Sequence, residues 1–134
     1  ADAAVILPTA ALGSKYIAST YTEPESRPSE ILIVASENDT KIDIIPTKKT
    51  LNGFDANETQ TITLSQGEVY QLRAEDDLTG TVIQASAENP CKRIAVFGGA
   101  QSTRITDLTN TCAVNDVEID DNIVDFPFQI EENG

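Results

Sequence analysis

Histidine, methionine and tryptophan are missing from this chain, cysteine occurs twice and tyrosine three times. Without histidine, a Ser-His-Asp or Cys-His relay has no base. A zinc centre wants four nitrogen or sulfur ligands and finds only two cysteines. A Ser-Lys pair is conceivable at Lys15, Lys41, Lys48, Lys49 or Lys92, but nothing beside these lysines suggests burial or a nucleophile elbow. Gly98-Gly99 follows a strand-like run without the glycine-rich spacing or helix of a phosphate loop, so the pair reads as a turn. Long apolar runs are absent too, and no stretch reaches the roughly 20 residues of a membrane-spanning helix. With no methionine at its start, the chain is read as processed or excised, so a missing signal peptide carries no information.

Basic residues are scarce: 9 Lys and Arg stand against 22 Asp and Glu, a formal net charge of -13. Such a field repels nucleic-acid phosphates and anionic lipid, and draws cations or a basic partner. The 134 residues suit one domain with a real core, and the 40% apolar content argues against global disorder. Residues 1–134 are therefore read as a single β domain, with 1–12 a leader strand and 113–134 an acidic terminal segment open to continuing into a longer protein.

Cys91 and Cys112 allow one disulfide. Closing it would tie a loop of about 20 residues and stabilise by roughly 3 kcal/mol in the chain-entropy view. A disulfide implies an oxidising compartment: secreted, periplasmic or cell-surface.

The residues present favour strands. Glu30 to Pro46 reads as strand, turn, strand, with Ile42 and Ile44 sharing a face and Asn38-Asp39 supplying a left-handed turn. The unbroken apolar run Ile31 to Ala35 suggests a strand covered on both faces, or one with a twisted, partly sheltered outer side. Tyr16 to Tyr21 reads as a first strand, and Pro24 and Pro28 break the segment between it and Ser29. After the Asn52-Gly53 turn signal, Thr59–Leu64 and Val69–Ala74 read as a second hairpin, reversing at Ser65 to Glu68. Thr81–Ala85 and Arg93–Gly98 come next, separated by Asn89-Pro90. Phe126, Phe128 and Ile130 alternate around Pro127 as an edge strand. No 3.6-residue period competes. The expectation is an all-β, antiparallel β-sandwich or barrel-like module of seven or eight short strands.

Ordered blocks carry a resemblance. They are Pro8-Thr9-Ala10-Ala11-Leu12-Gly13-Ser14-Lys15-Tyr16, Ile33 through Pro46, Leu64 through Leu72, Asp77-Leu78-Thr79-Gly80-Thr81, and Pro90-Cys91-Lys92-Arg93-Ile94-Ala95-Val96-Phe97-Gly98-Gly99. In order and spacing, from Pro8 to Cys112, they resemble the IgGFc-binding protein N-terminal domain family, in the form of a bacterial secreted or cell-surface member. The resemblance implies an extracellular, non-catalytic β module of adhesion-like, multidomain chains. The immunoglobulin-binding label belongs to a few animal members. Familiar members continue past Cys112 with further strands and cysteines, whereas this chain turns acidic.

The carboxylates support no hydrolase. Asp76-Asp77 and Asp120-Asp121 are neighbours whose side chains would point to opposite faces of a strand, whereas a glycosidase needs two facing each other across a cleft. Asp116, Glu118, Asp120, Asp121 and Asp125 crowd one stretch as candidate ligands for a structural Ca²⁺, although no cofactor is required and no EF-hand spacing is present. Asn38-Asp39-Thr40 and Asn57-Glu58-Thr59 match the glycosylation pattern in turn-forming sequence. Three classes remain. One is a non-catalytic extracellular module binding a protein or glycan, or positioning a neighbouring domain. Another is a structural or stalk unit assembling through terminal strands, Ala1 to Pro8 or Phe126 to Ile130. The third is a carbohydrate-binding domain with a groove of Tyr16, Tyr21 or Tyr70.

Overall fold

A computed structural model describes residues 7–22, 27–101 and the backbone of 124–125. A short 3-10 turn (Thr9–Ala11) precedes β1 (Lys15–Ile17), β2 (Ser29–Ala35), β3 (Thr40–Ile45), β4 (Gln60–Leu64), β5 (Val69–Ala74), β6 (Val82–Ala85), β7 (Ile94–Ala100) and β8 (Val124–Asp125). Two antiparallel four-stranded sheets, ordered β1-β6-β3-β4 and β5-β2-β7-β8, pack face to face. The chain is an all-β sandwich, as the turn spacing predicts.

β2 and β3 show why the layers form. Burial alternates without a break along both. Ile31, Ile33 and Ala35 point inward from β2, and Ile42 and Ile44 from β3. They meet Tyr16, Leu64, Leu72, Leu78, Ile83, Ile94 and Val96 in one core. On the other face of β2, Leu32 and Val34 are half-buried. That is the sheltered outer side expected from the apolar run. β2 lies centrally, between β5 and β7.

The two expected hairpins are not hairpins. β2 pairs with β5 and β7, and β3 with β4 and β6, so Ser36–Asp39 carries the chain from one sheet to the other. Ser65–Glu68 does the same between β4 and β5, and Ser86–Arg93 between β6 and β7. The inward rows of consecutive strands thus face each other across the core instead of lying side by side. The turn chemistry is as expected: Asp39 has φ 52 and Gly67 φ 77. These three of the five changes of sheet fall at the same end, because β2, β4 and β6 run antiparallel to the strands beside them, and the other two, from β1 to β2 and from β5 to β6, fall at the opposite end.

Two further expectations change. The first strand is only Lys15–Ile17, because beyond Ala18 the threonine side chains of the opposite end take over the pairing. Gly98 and Gly99 are not a turn but lie within β7. A Cβ on Gly98 would stand 2.0 Å from the Ser19 carbonyl oxygen, so the loop after β1 packs directly on strand backbone. The terminal segments read as donor strands fall outside the described residues, apart from Leu7 and Pro8.

Gly98→Ala should destabilise by roughly 1–3 kcal/mol or more through forced backbone displacement. Gly67→Ala, with nothing within 4 Å but a positive φ, should lose only about 1 kcal/mol. Urea unfolding of the two variants tests this, and equal losses would contradict the close approach at Ser19.

Candidate interaction surface at the crossing end

Hydrogen bonds zip the three crossings together. Gly67 N–H donates to Ala35 O at 2.8 Å, and Ala35 N–H to Glu68 O at 3.3 Å. Gln66 N–H donates to Asn38 Oδ1 at 3.0 Å, which gives the Asn-Asp turn a partner in the next crossing. Arg93 O accepts from Ser36 N–H at 3.2 Å and from Ser36 Oγ at 2.7 Å. The segment before β1 joins the same end. Tyr16 OH donates to Ile94 O at 2.8 Å and accepts from Gly13 N–H at 2.6 Å, while Arg93 Nη1 reaches Thr9 O at 3.2 Å.

On this end lies an open cleft of about 280 Å³, lined by Glu37, Glu88, Asn89, Pro90, Cys91 and Lys92. Two successive turns shape it, Asn89 N–H to Ser86 O at 2.8 Å and Lys92 N–H to Asn89 O at 3.2 Å. Two ion pairs bound it. Lys92 Nζ sits 3.2 Å from Glu37 and donates to Asn38 O at 3.0 Å, and Lys41 pairs with Glu88. Both pairs are substantially exposed, so each adds little to stability. They offer a partner charge of both signs around the smaller Pro90 and Cys91.

Cys91 corrects one expectation. It is a free, exposed cysteine at this cleft, so the disulfide expected between Cys91 and Cys112 is not formed at Cys91. Cys112 itself falls outside the described residues. The fold closes without a staple because the crossings are tied by backbone hydrogen bonds and a continuous core.

The opposite end is built differently. Asp77 Oδ1 accepts from Thr20 Oγ1 at 2.6 Å and from Thr79 N–H at 2.9 Å, with Thr79 Oγ1 at 2.7 Å. Thr20 N–H donates to Thr79 Oγ1 at 3.0 Å. Burial works to raise the Asp77 carboxyl, but the hydrogen bonds from Thr20 and Thr79, helped by the charge of Lys48, outweigh it and hold the group below its ordinary value. Asp76 contributes only its carbonyl, to Ser29 Oγ at 2.7 Å. This doublet is a capped turn beneath which Leu78 is fully buried. Sequence reading finds the aspartates but not the partner Thr20, which lies nearly sixty residues away.

The tyrosines do not gather into a groove. Tyr16 is 3% exposed in the core. Tyr70 stacks on Phe54 at a 6.2 Å centroid distance, and burial raises its phenol above the ordinary value against a smaller opposing effect of Asn52. Tyr21 is the exposed one, at 46%. Among the described residues no group of three or more Cys, Asp or Glu comes together as a metal site. Of the candidate calcium ligands, Asp116, Glu118, Asp120 and Asp121 fall outside the described residues. Asp125 is described in its backbone alone, opposite Gly98. No helix among the described residues is long and apolar enough to cross a membrane.

The model of the family described as IgGFc binding protein matches residues 2–134. The chain belongs to the IgGFc-binding protein family. The match extends past the Pro8 to Cys112 blocks that carry the resemblance, into the acidic segment. Comparison with curated proteins and with solved structures gave no match. As a member of this family the chain is a non-catalytic, extracellular or cell-surface domain of adhesion-like type.

Cys91 should react with a maleimide in the native protein without prior reduction, and reductant should leave the melting temperature unchanged. Mass spectrometry and a thermal scan read the two outcomes. Asp77→Asn should lower the melting temperature at neutral pH. A depressed folded-state pKa contributes stability above the ordinary carboxylate value that is lost as pH falls through the folded one. The gap between wild type and Asp77→Asn should therefore shrink in acid, and a gap constant from pH 7 to pH 2 would refute this role.

Proposed function

We propose that the domain binds an extracellular protein partner with a basic surface, and that it does so through the crossing end. The observation that carries this reading is the cleft itself. At about 280 Å³ it falls just below the roughly 300–1,000 Å³ usual for small-molecule sites. That volume takes one inserted side chain of a protein more readily than a sugar chain. Its rim of exposed ion pairs resembles the polar border of a protein interface, and the zipped crossings hold Asn38, Asp39, Gln66 and Gly67 beside it as further contact area. Binding groups on loops over a rigid scaffold are the usual arrangement. The net charge of -13 steers a basic partner and predicts association that slows with salt. A glycan reading has less support, since sugar binding favours exposed aromatic faces and the three tyrosines are apart.

The test uses immobilised extracellular proteins beside a glycan array, with the Fc fragment of immunoglobulin G included because the family's name suggests it. The domain is applied intact and with Cys91 coupled to a bulky maleimide, circular dichroism confirming the fold in both. Protein binding weakened at least tenfold by the label is the expected outcome. Binding confined to glycans, or protein binding indifferent to the label, would overturn the proposal.

A further inference from the structure

Antiparallel sheets expose edges, and folded chains blunt them with charges, prolines, very short strands or covering loops. In this sandwich β1 is three residues long and carries Lys15, and β8 is two residues long. The outer edge of β5 is covered. Asn52 Nδ2 donates to Gln71 O at 3.0 Å, Arg73 N–H donates to Asn52 Oδ1 at 3.0 Å, and Leu51 N–H donates to Arg73 O at 2.7 Å. A single carboxamide there takes the place of a neighbouring strand.

Among the described residues β4 has no such device. Gln60-Thr61-Ile62-Thr63-Leu64 contains no charge, proline or glycine, although the chain as a whole carries -13. β3 pairs one side of it, and among the described residues no hydrogen bond from another segment reaches the other. Ile62 packs against the core yet is only partly buried, which leaves apolar surface at the open edge.

We propose that β4 is a self-pairing edge, through which two copies of the chain associate by antiparallel β4–β4 pairing about a two-fold axis at Ile62. The second copy is favoured over another partner because the strand complements itself. In that register Ile62 faces Ile62 and Thr61 faces Thr63, a good cross-strand pair. The acidic flanks also avoid one another: Glu58 falls opposite Gln66, and Glu68 opposite Ala56. A two-fold contact of this kind is closed and yields a dimer, not a fibre. It joins one four-stranded sheet of each copy into a continuous sheet, and it leaves the crossing-end cleft of both copies uncovered by the paired strands. The contact is small, so association is weak in solution and gains from the local concentration of copies on a surface.

Sedimentation velocity over roughly 10 µM to 1 mM tests this in the range where so small an interface associates. The wild-type chain should shift from monomer towards dimer. The pair Thr61→Lys with Thr63→Glu places opposite charges across the two-fold axis, twice, and should tighten association about tenfold. Within each copy it sets the new lysine beside Asp43 and the new glutamate beside Lys41, so the monomer fold is retained. Thr61→Lys with Thr63→Lys sets like charges in those places and should be monomeric throughout. Both positions are exposed, and melting temperatures near wild type confirm folded chains. A wild-type chain that stays monomeric, or a double-lysine variant that dimerises like wild type, would overturn the proposal.

Discussion

The constraint on which the rest depends is that the chain crosses between its two sheets at one end, three times over. Each crossing leaves backbone groups that neither sheet can pair. Ala35 and Ser36 answer this by bonding to Gly67 and Glu68 of the second crossing and to Arg93 of the third. Of these residues Ala35 is buried, and a buried peptide group left unpaired costs on the order of 1–3 kcal/mol, so its two bonds to the second crossing matter most. Once they are tied, the inward rows of the two sheets meet. Ile31 and Ile33 face Ile42, Ile44 and Ile83 at full burial. The buried Tyr16 hydroxyl then fastens the incoming segment to Ile94.

The same constraint separates the domain's surfaces. The crossing end is held by backbone bonds together with the side chains of Ser36, Asn38 and Lys92, and the paired charges of Glu37, Glu88 and Lys92 border the cleft around Pro90 and Cys91. At the opposite end the polar side chains are themselves the structure, with Asp77, Thr20 and Thr79 substituting for absent strand bonds. Between the ends lie the sheet edges. There the chain treats two edge strands differently, covering β5 with Asn52 and, among the described residues, leaving the outer side of β4 unpaired.

Much of the fold is legible in the sequence. Period-two burial in Ser29–Ala35 and Thr40–Ile45, the left-handed turn at Asp39 and the glycine turns at Gly53 and Gly67 all follow from local chemistry. The hairpins mislead for a physical reason. A strand-turn-strand segment shows the same alternation whether its strands pair side by side or face each other across the core. Gly98 misleads because nothing local requires it there; the requirement comes from Ser19, distant in sequence. The expected Cys91 disulfide fails because a count of two cysteines contains no distance.

By itself the sequence determined the all-β character, the approximate strand positions, the non-catalytic composition and the extracellular family, since these rest on local periodicity, missing residue types and ordered motifs. The tertiary structure alone decided which strands share a sheet, which end carries the cleft, which edge is covered and that Cys91 is free. Those outcomes depend on contacts between residues far apart in the chain, and such contacts are fixed only when backbone hydrogen bonds and core packing are satisfied together.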